Sequence, residues 1–120
     1  MKIAIPVSEK KSNGEIDRRF GRAPFFAIFD AETREFAYVE NTQNLNSAQG
    51  AGIQSAENIV KAGAEVLLTS SCGPKAFKVL AASDVKVITG VFGNVDDAIK
   101  KFEAGEYKAA DGADVEGHWV

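Results

Sequence analysis

The chain predicts an α/β fold in which a mixed five-stranded sheet carries helices on its faces. Three observations point there. Short β-rich apolar runs occupy the first third of the chain, at residues 3–7, 25–29 and 35–40. From Ile53 onward the apolar residues switch to helical spacing. Two further apolar runs, at 66–69 and 85–89, alternate with the helical segments. The resulting order is β-β-β-α-β-α-β-α.

Each element has its own local reason. Residues 3–7 read as a buried strand, with Pro6 marking a strand end or an unpaired side. Residues 8–24 are polar, carry the turn signal Asn13-Gly14 and show no helical period. The strands at 25–29 and 35–40 flank Asp30-Ala31-Glu32-Thr33-Arg34, a connection of hairpin length without the glycine that the tightest turns prefer. After the polar stretch 41–52, Ile53, Ala56, Ile59, Val60 and Ala64 recur as one helix, and Gly63 marks its stop. The strand at 66–69 leads into the turn Ser70-Ser71-Cys72-Gly73, where Pro74 suits the first position of a second helix. Phe77, Val79, Leu80 and Ala81 give that helix its apolar faces. After the last strand, at 85–89, Asn94 caps a third helix with Asp97 three residues on. Val95, Ala98, Ile99 and Phe102 are its buried stripe, and Gly105 ends it. Residues 1–105 are therefore expected as a single α/β domain, with 106–120 a loosely ordered C-terminal tail.

This order locates a site. A hairpin sets the second strand antiparallel, while helical crossovers set the first, third, fourth and fifth in one direction. Their carboxyl ends then share one sheet edge, where loops 8–24, 41–52, 70–74 and 89–94 gather. Ligands of open α/β sheets bind outside those ends.

Composition narrows the function. The 120 residues, 45% apolar and 26% charged, describe one ordinary domain that folds without a disulfide or structural metal. Fourteen basic against 17 acidic residues leave a net charge of -3, which argues against a nucleic-acid binder. Cys72 is the single cysteine and fits a reducing compartment. The apolar start is too short for a signal-peptide core or a membrane span, so no membrane association and a cytoplasmic location are expected.

Several constellations could carry chemistry. Arg18, Arg19 and Arg22 stand within five residues, and guanidinium groups form forked bonds to oxyanions. The same arginines could equally pair with acids such as Glu15 and Asp17 on a solvated loop. Ser70-Ser71-Cys72-Gly73-Pro74-Lys75 lies at a strand-to-helix turn, where free amides and the helix dipole favour anions and lower a thiol pKa. Cys72 there is either a soft metal ligand or nucleophile, or a small buried hydrophobe. Gly50-Ala51-Gly52 and Gly90-Val91-Phe92-Gly93-Asn94 are loosely like phosphate-cradling turns, though neither is a Walker or dinucleotide motif. His118, the only histidine, is a metal ligand or an idle surface residue. Paired-cysteine spacing, a G-x-S-x-G elbow and an H-E-x-x-H helix are all missing from the sequence.

The stretches Arg19-Phe20-Gly21-Arg22-Ala23-Pro24-Phe25-Phe26, Gly52-Ile53-Gln54-Ser55-Ala56-Glu57 and Cys72-Gly73-Pro74-Lys75-Ala76-Phe77, with Leu80, resemble the dinitrogenase iron–molybdenum cofactor accessory proteins. Gly93 through Ala98, Phe102 and Gly105 continue the likeness, which runs from the first strand to about Gly105. The resemblance implies a ribonuclease-H-like motif and a non-enzymatic role: holding an anionic metal–sulfur cluster, iron–molybdenum or related, or a metalate, during cofactor assembly or delivery. It implies donor or acceptor proteins of that assembly as partners. By this analogy Arg18, Arg19, Arg22, Ser70, Ser71, Gly73 and Lys75 contact the cluster and Cys72 supplies a sulfur ligand to the metal. The alternatives are a thiol-dependent enzyme or redox protein using Cys72, and an interaction module without a small ligand. Nuclease chemistry needs clustered carboxylates, and the runs IAIPV, FFAIF and VLLT offer none at their centres.

Overall fold

A computed structural model describes residues 1–43 and 46–110. The strands are β1 (Lys2–Val7), β2 (Phe25–Asp30), β3 (Phe36–Glu40), β4 (Val66–Leu68) and β5 (Lys86–Ile88). The helices are α1 (Ala51–Lys61), α2 (Pro74–Ala82) and α3 (Val95–Glu103), with a 3-10 turn at Phe20–Arg22. The sheet order is β3-β2-β1-β4-β5. β2 runs antiparallel to both β1 and β3, whereas β4 and β5 run parallel to β1. This is the mixed five-stranded sheet expected from the order of elements, in the ribonuclease-H-like arrangement that the family resemblance implies.

Strand periodicity divides the core into two layers. Ile3, Ile5 and Val7 of β1, Ala27 and Phe29 of β2, and Val66 and Leu68 of β4 face the side covered by Val95, Ala98 and Ile99 of α3. Ala4, Phe26, Ile28, Leu67 and Val87 face the opposite side, against Ala56 and Ile59 of α1 and Ala76 and Leu80 of α2. Central β1 is buried on both faces, so it reads as a continuous apolar run rather than an alternation. Its pairing to β4 lies at Ile3 and Ala4, which leaves Pro6 beyond the ladder on that side, where a missing N–H costs nothing.

Two loops differ from their sequence reading. The β2–β3 connection lacks glycine because Arg34 itself takes the left-handed conformation, at φ 66°. Its guanidinium lies over the Phe29 ring at 4.8 Å and bonds both carboxylate oxygens of Glu103 at the end of α3. The loop 8–24 is anchored at its centre: Ile16 is buried, bridges Val7, and donates its N–H to the Gly93 carbonyl at 2.8 Å. The tail expected from residue 106 is docked over its first residues, with Tyr107 against the α3-side core and the Ala110 N–H bonded to the Val87 carbonyl at 2.8 Å. The remainder of the tail, His118 included, lies outside the described residues.

Candidate functional site

At the carboxyl edge of the sheet the 3-10 turn meets the first turns of α1 and α2. A cavity of about 540 Å³ opens between them, lined by Arg19, Phe20, Gly21 and Arg22, by Gly50, Gly52 and Ile53, and by Ser71, Gly73, Pro74, Lys75 and Ala76. The backbone approach is close: Gly21 sits over Gly52, and Gly52 over the Ala76 methyl. Phe20 fastens the turn from below, buried and tilted against Phe26 at 5.6 Å.

Both helices begin at the cavity without side-chain caps, on Gly50 and Gly73. The first-turn amides of a helix have no partner within the helix, and the dipole is positive there. By contrast α3, whose start is elsewhere, is capped by the Asn94 side-chain oxygen Oδ1 accepting the Asp97 N–H at 3.1 Å. Two uncapped starts facing one hollow, with the cationic side chains of Arg19, Arg22 and Lys75 on its lining, form a field suited to an anion.

Of the residues expected at the site, the structure brings Arg19, Arg22, Ser71, Gly73 and Lys75 to the cavity wall. Three others go elsewhere. Arg18 turns away and places its guanidinium over the Phe92 ring at 5.2 Å, beside a second hollow shared with Ser8, Glu9, Glu15, Asp17 and also Arg19, which borders both hollows. Ser70 is buried, and its hydroxyl donates to the Val91 carbonyl at 2.7 Å, pinning the turn after β5. Cys72 is 1% exposed and joins the apolar cluster of Phe20, Phe26, Ala76 and Leu80, with Sγ 3.7 Å from the Gly73 carbonyl oxygen. The rim expected to join thiol and arginines is therefore built by Ser71 and Gly73 on either side of an inward-facing sulfur. Among the described residues no group of three or more His, Cys, Asp or Glu could hold a metal ion, and no helix is long and apolar enough to cross a membrane.

Arg19 realises both sequence alternatives at once. It lines the cavity, and it forks onto Asp17, with Nε to Oδ1 at 3.0 Å and Nη2 to Oδ2 at 2.9 Å. Asp17 also accepts the Arg19 backbone N–H at 2.8 Å and the Ser8 hydroxyl at 2.9 Å. The guanidinium bond holds the Asp17 carboxyl below its ordinary value against the opposing effect of burial. The same pair raises the Arg19 pKa.

Sequence reasoning missed the scaffold behind the wall. Buried Asn41 donates to the Ala23 carbonyl at 2.8 Å and accepts from the side-chain amides of Gln43 and Asn58. Gln43 also donates to the Ser55 hydroxyl at 3.1 Å, and Ser55 in turn donates to the Gly21 carbonyl at 3.4 Å. This chain of bonds ties the 3-10 turn to α1. Only the cluster of asparagines in 41–52 signals it, and that composition suits any polar loop equally.

Comparison with known proteins agrees with this fold. The family model described as dinitrogenase iron–molybdenum cofactor matches residues 1–105. An uncharacterised protein of Methanocaldococcus jannaschii is 31% identical over 108 residues, 88% of each chain. The apo form of the orange protein from Desulfovibrio gigas superposes with a TM-score of 0.89 at 38% identity, covering 95% of this chain and 96% of that one. A Thermotoga protein solved by NMR, a NifB candidate, follows at 0.74 and 33% identity, covering 90% and 91%. The matched span takes in every strand and helix among the described residues and all of the cavity wall, and the chain belongs to the dinitrogenase iron–molybdenum cofactor family.

Proposed function

We propose that this protein is a non-enzymatic binding or carrier protein whose cargo is an anionic metal–sulfur cluster, iron–molybdenum or related, or a metalate, in cofactor assembly or delivery. The observation that carries the reading is the convergence of two uncapped helix starts with Arg19, Arg22 and Lys75 on one cavity of about 540 Å³. Amides and exposed cations attract an anion without bonding to metal, so cargo held this way can be released to an acceptor protein. Membership of the family supports the cluster class, and the cytoplasm suits a protein whose one thiol stays reduced.

The burial of Cys72 shapes the details. A thiol that is 1% exposed among phenylalanines is screened from substrates, which weighs against a thiol-dependent enzyme. In this arrangement charge and amides hold the cargo, and no thiolate is needed at first contact.

Anaerobic incubation with sulfide-treated molybdate, iron–sulfide and copper–sulfide mixtures, followed by desalting and metal analysis, tests the reading. Wild type is expected to retain one of these species, and the Arg22→Ala, Lys75→Ala double variant to retain much less. Equal retention by both, or none by wild type, overturns it.

A further inference from the structure

Asp17 is not on the cavity wall, yet three of its four side-chain hydrogen bonds come from a residue that is. Its side chain is 4% exposed, whereas that of Arg19 is 65% exposed. Both carboxylate oxygens are engaged: Oδ1 by the Arg19 backbone N–H and Nε, and Oδ2 by Arg19 Nη2 and the Ser8 hydroxyl. A long exposed arginine ordinarily samples many rotamers, and ordering it on binding costs affinity. Here the guanidinium plane is fixed at two points and the backbone at a third. The fork uses two of the five N–H donors of the guanidinium and leaves three, on Nη1 and Nη2, for another acceptor.

We propose that Asp17 is a positioning residue for anion capture, holding the guanidinium of Arg19, a residue that borders both hollows, in a fixed plane so that its remaining donors meet the cargo already ordered. The proposal rests on the cluster-carrier reading above and adds a residue to it. Ser8 steadies the carboxylate from behind. The arrangement carries a cost, because a carboxylate near an anion site repels the cargo. That opposition makes the test decisive. If Asp17 acted only through its charge, removing the charge would tighten anion binding at low salt. If it positions Arg19, removing it weakens binding despite the gain in positive charge.

Affinity for sulfide-treated molybdate, measured by anaerobic equilibrium dialysis with molybdenum analysis, is compared in wild type, Asp17→Asn, Arg19→Ala, the double variant and Arg19→Lys, with thermal melting of each. Asp17→Asn is expected to bind about three- to tenfold more weakly, the scale of re-ordering one long side chain. In the Arg19→Ala background Asp17→Asn should cause no further loss. Arg19→Lys, which keeps the charge but not the fork, should weaken binding like Asp17→Asn. Unchanged or tighter binding by Asp17→Asn, or a further loss in the Arg19→Ala background, overturns the positioning role. Should Asp17→Asn fail to fold, Ser8→Ala decides: weaker binding supports the role and equal binding overturns it. Failure of wild type to bind any of the three metal–sulfide preparations removes the carrier reading and this one together, whereas normal wild-type binding with an indifferent Asp17→Asn removes this one alone.

Discussion

Gly21 packs backbone to backbone on Gly52: a Cβ added to Gly21 would lie 3.2 Å from the Gly52 nitrogen and 3.5 Å from the Ala51 carbonyl carbon. Neither neighbour is a side chain that can swing aside. The cavity owes its shape to this approach, because it seats the 3-10 turn directly on the uncapped start of α1.

Gly21→Ala is therefore expected to push the turn off the helix and destabilise the protein by about 1–3 kcal/mol, the usual range for overpacking a rigid contact. Gly52→Ala is the matched control. Its Cβ would meet only the Ala76 methyl, at an ordinary 3.6 Å, and it removes a helical glycine, so it should be neutral or stabilise by up to about 1 kcal/mol. Thermal melting of the two variants separates these signs. A Gly21→Ala protein that melts like wild type would mean that the turn yields freely.

The exposed cations should reveal themselves through salt. Arg22→Ala removes a solvent-facing charge from the cavity wall without disturbing a buried group. Binding of sulfide-treated molybdate should fall about tenfold at low ionic strength, the order of one lost charge-assisted hydrogen bond. At roughly 0.15 M salt, where the screening length is about 8 Å, the loss should be smaller. Anaerobic dialysis at two salt concentrations measures it. An equal loss at both would assign Arg22 a packing role instead.

Elements whose identity depends on local pattern were legible in the sequence, and groupings that depend on distant partners were not. Ile3, Ala4 and Ile5 report a strand buried on both sides, Pro74 a helix start, and Asn94 with Asp97 a cap; each signal is complete within a few residues. The gathering of loops at the carboxyl edge followed from strand direction alone. The direction of neighbouring side chains did not follow. Arg18 and Arg19 are adjacent, but Arg18 goes to Phe92 and Arg19 to Asp17. The difference is set by Ile16, which locks the loop onto Val7 and Gly93, a partner 77 positions away in the chain. Cys72 is the same case: a turn before a helix presents some atoms outward and others inward, and its local sequence does not say which.

Acid should unfold the protein partly through Asp17. Its folded pKa lies below the ordinary carboxylate value, chiefly because of the Arg19 hydrogen bonds. A depressed folded pKa contributes stability that is fully present above the unfolded value and is lost as pH falls through the folded one. The loss therefore belongs below about pH 4, where an unperturbed aspartate begins to take up its proton. Asp30 and Glu103 are shifted the same way, by the Glu32 amide and by Arg34, and add to the slope. Denaturant midpoints of wild type and Asp17→Asn should differ most above pH 5 and converge on acidification. Parallel curves down to pH 3 would show that Asp17 does not contribute to the linkage.

Cys72 should behave as a core residue until the protein opens. At 1% exposure its alkylation by a small haloacetamide in native buffer is expected to be slow, and to accelerate through the unfolding transition in denaturant. Cys72→Ser places a hydroxyl in the cluster of Phe20, Phe26 and Leu80 and should cost about 1–3 kcal/mol of stability, more than Cys72→Ala if polarity rather than volume is the penalty. Metal retained after incubation with the sulfide mixtures should be the same for Cys72→Ala and wild type, since the cavity wall is made by Ser71 and Gly73 on either side of the sulfur. Loss of metal from a well-folded Cys72→Ala protein would show that the thiol swings outward to ligate the cargo, and capture by charge and amides would then be only the first step of loading.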